Sequence, residues 1–184
     1  QFASSAASDV YKRQHLRFGF HRHFSGDVKY ITFLRDPVER VISYYYFLLN
    51  TPDNPFHQEA KQFKTLESFV RGFKGGRFNN GQARRIAGPW DGKRKIKQRL
   101  YQHLESHFAA IGIVEHFDAS LQHFATKLRW ENTAYKKENI NPAKKPLDEI
   151  PQETIKLIRR KNWLDKELYD FAKKQLFSSS QSSD

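Results

Sequence analysis

The sequence predicts an α/β domain in which a parallel sheet is flanked by helices. Two apolar segments, residues 29–35 and 109–114, have the composition of buried strands, and each leads directly into a helical pattern. Strands that alternate with helices are typical of parallel sheets, because the connecting helices cover the faces of the sheet. The chain has 184 residues, which is enough for one domain with a hydrophobic core.

The first predicted strand runs directly into the first predicted helix. Residues 29–35 (KYITFLR) are mainly β-branched or aromatic, as in strands that are covered on both faces. Asp36 suits the N-cap of the helix, and Pro37 suits its first position. The helix is expected to end at residues 50–53, and apolar residues at helical spacing predict one buried face. These apolar residues are Val38, Val41, Ile42, Tyr45, Leu48 and Leu49.

Further helices are expected along the rest of the chain, separated by Gly, Pro and polar segments. Their expected ranges are 65–73, 80–87, 93–108 and two C-terminal segments that begin near residues 151 and 165. Asp118 is expected to cap the helix after the second strand, and Asp165 is expected to cap the last helix. The polar residues 135–147 are expected to form a loop.

The charge of the chain favours an anionic partner. The sequence contains 32 Lys and Arg against 20 Asp and Glu, which gives a net charge of +12. Candidate partners are a phosphate-bearing cofactor, an acidic polysaccharide, nucleic acid or a membrane surface, and a merely basic surface is an equally good interpretation. The absence of cysteine excludes disulfides and thiolate metal sites. The apolar runs are far shorter than the about 18 residues of a membrane span, and no secretory signal is visible.

The two ends of the sequence differ in composition from its centre. Residues 1–14 are mainly small and polar and look like a translated adapter sequence, so we expect them to be a non-native leader. Residues 15–177 are expected to form the domain. Residues 178–184 are rich in serine and are expected to be a disordered tail.

Arg35 and Ser43 flank the start of the first helix and are candidates for an anion site. Ligands of parallel sheets bind beyond the carboxyl ends of the strands, where Arg35 would lie. A helix N-terminus offers free N–H groups, and a guanidinium can hold a phosphate through two parallel hydrogen bonds. Ser43 lies opposite the apolar face, so its hydroxyl can donate to the same anion. The alternative is that Arg35 pairs with Asp36 or Glu39, and that Ser43 is a tolerated helix serine.

Several segments together resemble one family of enzymes. TFLRDPVERVISYYY closely resembles the 3′-phosphate-binding segment of sulfotransferases, in the family that includes heparan sulfate 2-O-sulfotransferase and its bacterial relatives. This chain also resembles other segments of that family, and they occur in the same order. The segments of this chain are HLRFGFHRHF, NNGQARRIAG, IGIVEHFDASLQHF and NINPAKKP. NNGQARRIAG has the family form Asn-x-Gln-x-Arg-x-x-x-Gly. The resemblance covers residues 15–177.

The resemblance implies an enzyme that transfers a sulfuryl group from 3′-phosphoadenosine 5′-phosphosulfate to an acceptor hydroxyl, which we expect to belong to a carbohydrate. It also implies a P-loop-like three-layer fold and chemistry that requires no metal. Carried over by position, Arg35 and Ser43 hold the 3′-phosphate, and His15 is the general base that accepts the proton of the acceptor. Lys144 and Lys145 lie in the loop that closes over the nucleotide in relatives, and one of them is expected to reach the 3′-phosphate.

One part of the family pattern is not found in this sequence. Relatives begin with a strand and a Pro-Lys-x-x-Gly/Ser-Ser/Thr loop, which holds the 5′-phosphosulfate. We therefore expect an N-terminally truncated chain that lacks the first strand and is itself inactive. The resemblance implies a cytoplasmic protein if the source is bacterial, which we prefer. It implies a Golgi membrane protein, anchored through a missing N-terminal segment, if the source is eukaryotic.

Other basic residues allow further interpretations. Arg84 and Arg85 are candidates for contacting a sulfated or carboxylated acceptor, or the cofactor, and surface arginine is the equal alternative. The basic residues within 93–99 are expected to form a solvated helix face. These residues are also a candidate track for an acidic glycan, or for nucleic acid in a rival interpretation, and a second rival is an interaction domain without catalytic activity.

Two pairs of histidines have spacings that invite a functional interpretation. His103 and His107 are four residues apart and share a helix face, but no third ligand supports a metal site. His21 and His23 alternate along an extended segment and are expected to belong to the polar surface. Neither pair is expected to form a site.

Overall fold

The computed structural model describes residues 18–74, 78–135 and 146–178. Within them, β1 (Tyr30–Leu34) and β2 (Phe108–Ile113) pair in parallel, with Leu34 opposite Ile113 at the carboxyl end of the sheet. The α-helices are α1 (Pro37–Leu49), α2 (His57–Lys61), α3 (Leu66–Gly72), α4 (Gly81–Ala87), α5 (Lys93–His107), α6 (Phe117–Leu128), α7 (Gln152–Lys161) and α8 (Trp163–Ser178). The prediction of a parallel sheet flanked by helices is confirmed, and this sheet has two strands in the described part of the chain.

Helices cover both faces of the two-stranded sheet. On one face, Leu34, Ile111 and Ile113 belong to a hydrophobic cluster that also contains apolar residues of α4, α5 and α8. On the other face, the ring of Phe33 in β1 stacks on Phe117 of α6, with 4.7 Å between the ring centroids. The neighbouring residues of each strand therefore point into different layers, as the predicted two-sided burial requires.

Gly112 in β2 allows α6 to approach the sheet closely. A Cβ atom at this position would lie 2.8 Å from the ring of Phe33 and 2.9 Å from the side chain of Ser120 in α6. The hydroxyl of Ser120 is fully buried; it accepts the N–H of Ile113 at 2.8 Å and donates to the carbonyl of His116 at 2.8 Å. These contacts fix the start of α6 against the end of β2.

A second hydrophobic cluster lies among α1, α2, α3 and α7. The predicted apolar face of α1 is buried in it, except that Leu49 is only half-buried. Phe69 of α3 is fully buried in this cluster and stacks on Phe73 at 4.4 Å between ring centroids. Because α1 follows β1 directly, it connects the sheet to this group of helices.

Two of the three predicted aspartate caps are wrong. Asp36 caps α1 and Pro37 is the first residue of that helix, as predicted. However, α6 and α8 begin before Asp118 and Asp165, so neither aspartate is an N-cap of its own helix. Asp118 instead accepts a hydrogen bond from the hydroxyl of Tyr135 at 2.8 Å, and Asp165 is buried against α4. Both carboxylates are thus used by residues that lie elsewhere in the sequence.

Histidine and aromatic rings pack together at the amino ends of the two strands. The ring of His21 stacks on His107 of α5, with 4.6 Å between the ring centroids. The hydroxyl of Tyr30 accepts the main-chain N–H of His21 at 2.8 Å and hydrogen-bonds with its Nδ1 at 2.9 Å. His21 is therefore half-buried and His23 is exposed, and both lie in a 3₁₀ helix, Phe20–His23, instead of the expected extended segment.

The C-terminal helix extends further than predicted. It includes Ser178, the first residue of the segment expected to be disordered. Residues 179–184 lie outside the described residues, as do residues 1–14. Among the described helices, none combines the length and apolar composition that crossing a membrane requires.

Candidate anion-binding site

The candidate site lies at the carboxyl end of β1, where the chain passes from the sheet into α1. β1 ends at Leu34, so Arg35 follows the strand instead of being its last residue. The N–H of Arg35 donates to Oε1 of Gln82 in α4, and Nε2 of Gln82 donates to the carbonyl of Arg35, each at 2.9 Å. The N–H of Asp36 donates to Oε1 of Glu115, just after β2, at 3.0 Å. Side chains from two other parts of the chain therefore hold the main chain at this junction.

The first N–H groups of α1 are already hydrogen-bonded. Oδ1 of Asp36 accepts from the N–H of Val38 at 2.8 Å and from the N–H of Glu39 at 3.1 Å, and Pro37 has no N–H. The expectation that the N-terminus of α1 offers free N–H groups to an anion is therefore wrong for these residues. The carboxylate of the N-cap occupies the position that an external anion would take. An anion site at this junction must therefore be made of side chains.

The guanidinium of Arg35 lies near two carboxylates but makes no hydrogen bond within the described residues. Its Nη2 is 3.6 Å from Glu39, and its Nε is 4.0 Å from Glu115. The pairing with Glu39 is the one that the alternative interpretation predicts. Both distances exceed the about 2.7–2.9 Å of a charge-assisted hydrogen bond. Since 32% of the side chain is exposed, the guanidinium can still donate to an anion from solution.

Ser43 lies on the same side of α1 as Glu39, one helical turn further along. It is half-buried, and its hydroxyl makes no hydrogen bond to another described residue. Because the guanidinium of Arg35 lies 3.6 Å from Glu39, it is next to the side of α1 that also carries Ser43. This arrangement is compatible with the predicted pair of phosphate ligands, and their binding of a phosphate stays a prediction.

Helix α4 carries Arg84 and Arg85, and Arg85 lies near α1. Burial raises the pKa of Tyr44 in α1, and the nearby positive charge of Arg85 opposes that rise. Arg85 is exposed, whereas Arg84 is half-buried and has no ion pair within the described residues. The N–H of Phe18 donates to the carbonyl of Arg85 at 3.1 Å, so the N-terminal segment also passes next to α4. Arg85 therefore adds positive charge beside α1, the helix that follows the junction.

A buried polar network connects α4 with α8 next to the candidate site. Oδ1 of Asn80, the N-cap residue of α4, accepts the N–H groups of Leu164 at 2.8 Å and Asp165 at 3.2 Å. The carboxylate of Asp165 accepts the N–H groups of Gln82 at 3.2 Å and Ala83 at 2.8 Å. Each of the two helices is therefore capped by a side chain that belongs to the other. This reciprocal capping fixes the start of α4, which carries the glutamine that holds the junction.

Arg40 of α1 supplies the positive charge of this network. Its Nη2 lies 3.6 Å from Oδ2 of Asp165 and donates to the carbonyl of Phe78 at 3.0 Å. Burial raises the pKa of Asp165 and lowers the pKa of Arg40, and their mutual attraction opposes both shifts. Gly81 leaves room for the guanidinium, because a Cβ at that position would lie 2.9 Å from Nη2. The network therefore ties α1, α4 and α8 together at one point.

The residues that precede the two arginines in NNGQARRIAG hold the site together, and sequence reasoning missed this role. Asn80 caps α8, Gly81 admits the arginine of α1, and Gln82 holds the main chain of Arg35. Glu115, from the segment IGIVEHF, was missed as well. The Asn-x-Gln pattern indicated that these residues matter. It did not indicate their partners, because those partners are main-chain groups, which every residue has.

Part of the basic segment 93–99 is committed to structural contacts. Nε and Nη2 of Arg99 donate to main-chain carbonyls at the end of α4, and its Nη1 pairs with Asp91 at 2.5 Å. Lys97 pairs with Glu167 of α8 at 2.6 Å. The expectation of a solvated basic face is therefore wrong for Arg99, which is half-buried, whereas Lys97 is exposed as expected. The exposed basic residues of this segment without such a contact among the described residues are Lys93, Arg94 and Lys95.

Three of the predicted functional residues, His15, Lys144 and Lys145, lie outside the described residues, so their roles stay predictions. Nδ1 of His103 hydrogen-bonds with the carbonyl of Ile86 at 2.8 Å and thus has a structural partner. In the described ranges, no three His, Cys, Asp or Glu side chains form a group that could hold a metal ion.

Comparisons of the chain with protein-family models, with curated proteins and with solved structures found no match. The resemblance to sulfotransferases therefore stays a hypothesis that comes from the sequence. The structure gives the positions of four of the predicted residues. These are Arg35, Ser43, Arg84 and Arg85, which lie on the neighbouring elements α1 and α4 or immediately before them.

Proposed function

We propose that the protein is a sulfotransferase with a P-loop-like fold, which uses 3′-phosphoadenosine 5′-phosphosulfate and transfers the sulfuryl group to a hydroxyl of a carbohydrate. The observation that carries this proposal is the junction of β1 and α1. Arg35 and Ser43 lie on one side of it, and neither side chain is hydrogen-bonded within the described residues. Together they offer guanidinium and hydroxyl donors, which suit the acceptor oxygens of a phosphate monoester.

The charges around this junction support an anionic ligand. Arg84 and Arg85 of α4 suit a sulfated or carboxylated acceptor, or the nucleotide itself. Glu39 and Glu115 help to orient the guanidinium of Arg35, but they also repel a phosphate. The positive charge of Arg85 beside α1 offsets part of this repulsion in the proposed site, which favours anions that make short contacts with Arg35.

In the proposed reaction, the acceptor oxygen forms a bond to sulfur while the bond between sulfur and the bridging phosphate oxygen breaks. The proton of the acceptor goes to His15, and adenosine 3′,5′-bisphosphate leaves. The protein contributes mainly positioning and charge stabilisation to such an in-line displacement. Lys144 and Lys145 are the proposed further ligands of the 3′-phosphate.

Binding of the product nucleotide tests the proposal without requiring turnover. Adenosine 3′,5′-bisphosphate at about one hundred times its dissociation constant should stabilise the folded chain by about 2.7 kcal/mol, which raises the melting temperature by about 5 to 11 °C. Arg35→Ala should abolish this rise. Arg159→Ala, which removes an exposed arginine of α7, should leave it intact. Adenosine 5′-monophosphate should give a smaller rise, because it lacks the 3′-phosphate.

A rival function as a nucleic-acid-binding module predicts a different response. Binding to single-stranded DNA should then be tight and should weaken steeply with salt. The Lys93–Arg94–Lys95 group, which remains exposed on α5, would carry that binding. If Arg35→Ala and the wild type respond equally to the bisphosphate, or if neither responds, the proposed sulfotransferase site is refuted.

A further inference from the structure

The side-chain amide of Gln82 pairs with Arg35 as a neighbouring strand would. It accepts the Arg35 N–H and donates to the Arg35 carbonyl, both at 2.9 Å. Only one orientation of the carboxamide satisfies both groups, because its oxygen must face the N–H and its nitrogen must face the carbonyl. Two hydrogen bonds to one residue restrict rotation of that residue more strongly than one would.

Arg35 needs this support because the sheet does not provide it. The pairing of the two strands ends at Leu34 and Ile113. From Arg35 onward the chain turns into the N-cap of α1, and its main-chain groups have no partner in β2. Gln82 therefore makes the main-chain hydrogen bonds with Arg35 that a neighbouring strand would otherwise make. The side chain of Arg35 is the main candidate ligand of the site.

The main chain of Gln82 is itself held by a side chain of α8. Its main-chain N–H donates to Oδ2 of Asp165 at 3.2 Å, within the network that joins α4 and α8. The start of α4 is further fixed by Asn80, which hydrogen-bonds to the start of α8. Contacts therefore run without a break from the buried carboxylate of α8 to the main chain of Arg35.

We propose that Gln82 is a positioning residue of the anion site, which acts through Arg35 and sets the affinity for a phosphate monoester on the ribose. This inference rests on the proposed function, because it takes Arg35 as a phosphate ligand. A guanidinium binds phosphate through two parallel hydrogen bonds only when its orientation is correct. Gln82 fixes the point from which the Arg35 side chain extends, so it reduces the freedom that binding would otherwise have to remove.

The test compares the affinities of two nucleotides for several variants of the whole chain by isothermal titration calorimetry. Gln82→Met keeps the length of the side chain but removes both hydrogen bonds, and it should weaken binding of adenosine 3′,5′-bisphosphate about tenfold. Binding of adenosine 5′-monophosphate should not change, because that nucleotide does not use Arg35. Gln82→Asn, which is one methylene shorter, should give a smaller loss than Gln82→Met. Gln98→Met alters an exposed glutamine of α5 and is the matched control, with no expected effect on either nucleotide.

Two further measurements separate positioning from general stability. In an Arg35→Ala background, Gln82→Met should cause no additional loss of affinity, because the residue through which it acts is already absent. Hydrogen exchange of the Arg35 amide, measured by NMR, should become faster in Gln82→Met while the amides of α6 keep their protection. The exchange measurement also shows whether each variant is folded.

The outcomes distinguish a failed inference from a failed function. If the wild type binds both nucleotides equally, the proposed function is wrong, and the role of Gln82 in phosphate binding is wrong with it. If the wild type prefers the bisphosphate and Gln82→Met retains that preference, the positioning role is refuted while the proposed function stands. Equal losses for both nucleotides, with faster exchange in α6, would mean that Gln82 is only structural and would also refute the inference.

Discussion

Asp165→Asn changes the centre of the polar network with almost no change in volume. The side chain of Asp165 has no exposed surface, and it receives two main-chain N–H groups of α4 as well as the charge of Arg40. The asparagine can still accept the N–H of Ala83 through one oxygen. It cannot accept a second N–H through its amino group, and it leaves Arg40 without a negative partner among the described residues.

The expected loss of stability follows from these contacts. Removing one partner of a buried ion pair costs about 3 to 5 kcal/mol, because the remaining charge is buried and uncompensated. Since 24% of the Arg40 side chain is exposed, solvent screens part of that charge. We therefore expect Asp165→Asn to lower the free energy of unfolding by about 3 kcal/mol, including the lost hydrogen bond, and the melting temperature by about 6 to 12 °C.

Urea denaturation followed by circular dichroism measures this loss directly. Asp170→Asn is the control on the same helix: it removes a solvent-exposed pair with Lys166, and it should cost less than about 1 kcal/mol. In the double variant with Arg40→Met no buried charge remains, so part of the stability should return. If Asp165→Asn is as stable as the Asp170 control, the buried network does not contribute as the contacts imply.

Three other substitutions or conditions test separate features of the fold. Gly81→Ala forces the Arg40 guanidinium to move and should cost about 1 to 3 kcal/mol, but in an Arg40→Met background it should cost nothing, as urea denaturation of both variants will show. Ser120→Ala leaves the buried N–H of Ile113 without its side-chain partner and should lower the free energy of unfolding by about 1 to 3 kcal/mol. Burial lowers the pKa of His103 and of His21 below 6.5, so the unfolded chain takes up protons first as the pH falls. The free energy of unfolding should therefore decrease progressively below pH 6.5, and His103→Gln should reduce the slope. A flat profile between about pH 7 and 5 would contradict this effect.

The sequence was sufficient for the strand-to-helix junction because its signals are local. Asp36 caps the helix that starts one residue later, and Pro37 has the backbone angle of a first helical residue. The buried face of α1 could be predicted equally well, because apolar residues recur at the same helical spacing whichever apolar neighbour buries them. The same local signals put Arg35 immediately before the N-cap and Ser43 within α1, whereas the expectation that Arg35 ends the strand was wrong by one residue.

The sequence was insufficient wherever an aspartate or arginine serves a distant part of the chain. Asp165 has the local features of an N-cap, yet its carboxylate caps a helix that begins more than 80 residues earlier. Arg99 looked like one member of an exposed basic run, but it donates to carbonyls at the end of α4. Gln82 was passed over because its partner is the main chain of Arg35, and every residue has the same main-chain groups. Only the three-dimensional arrangement selects among such partners.

The exchange of caps between Asn80 and Asp165 also constrains the order in which a growing polypeptide can become native. Ribosomes add about 5 to 20 residues per second, so the 85 residues between these two positions take about 4 to 17 s to synthesise. During that interval the nascent chain contains Arg40 and Gln82, but it does not yet contain the carboxylate that both require. Folding of the region around Arg35 is therefore completed only after translation has passed residue 165.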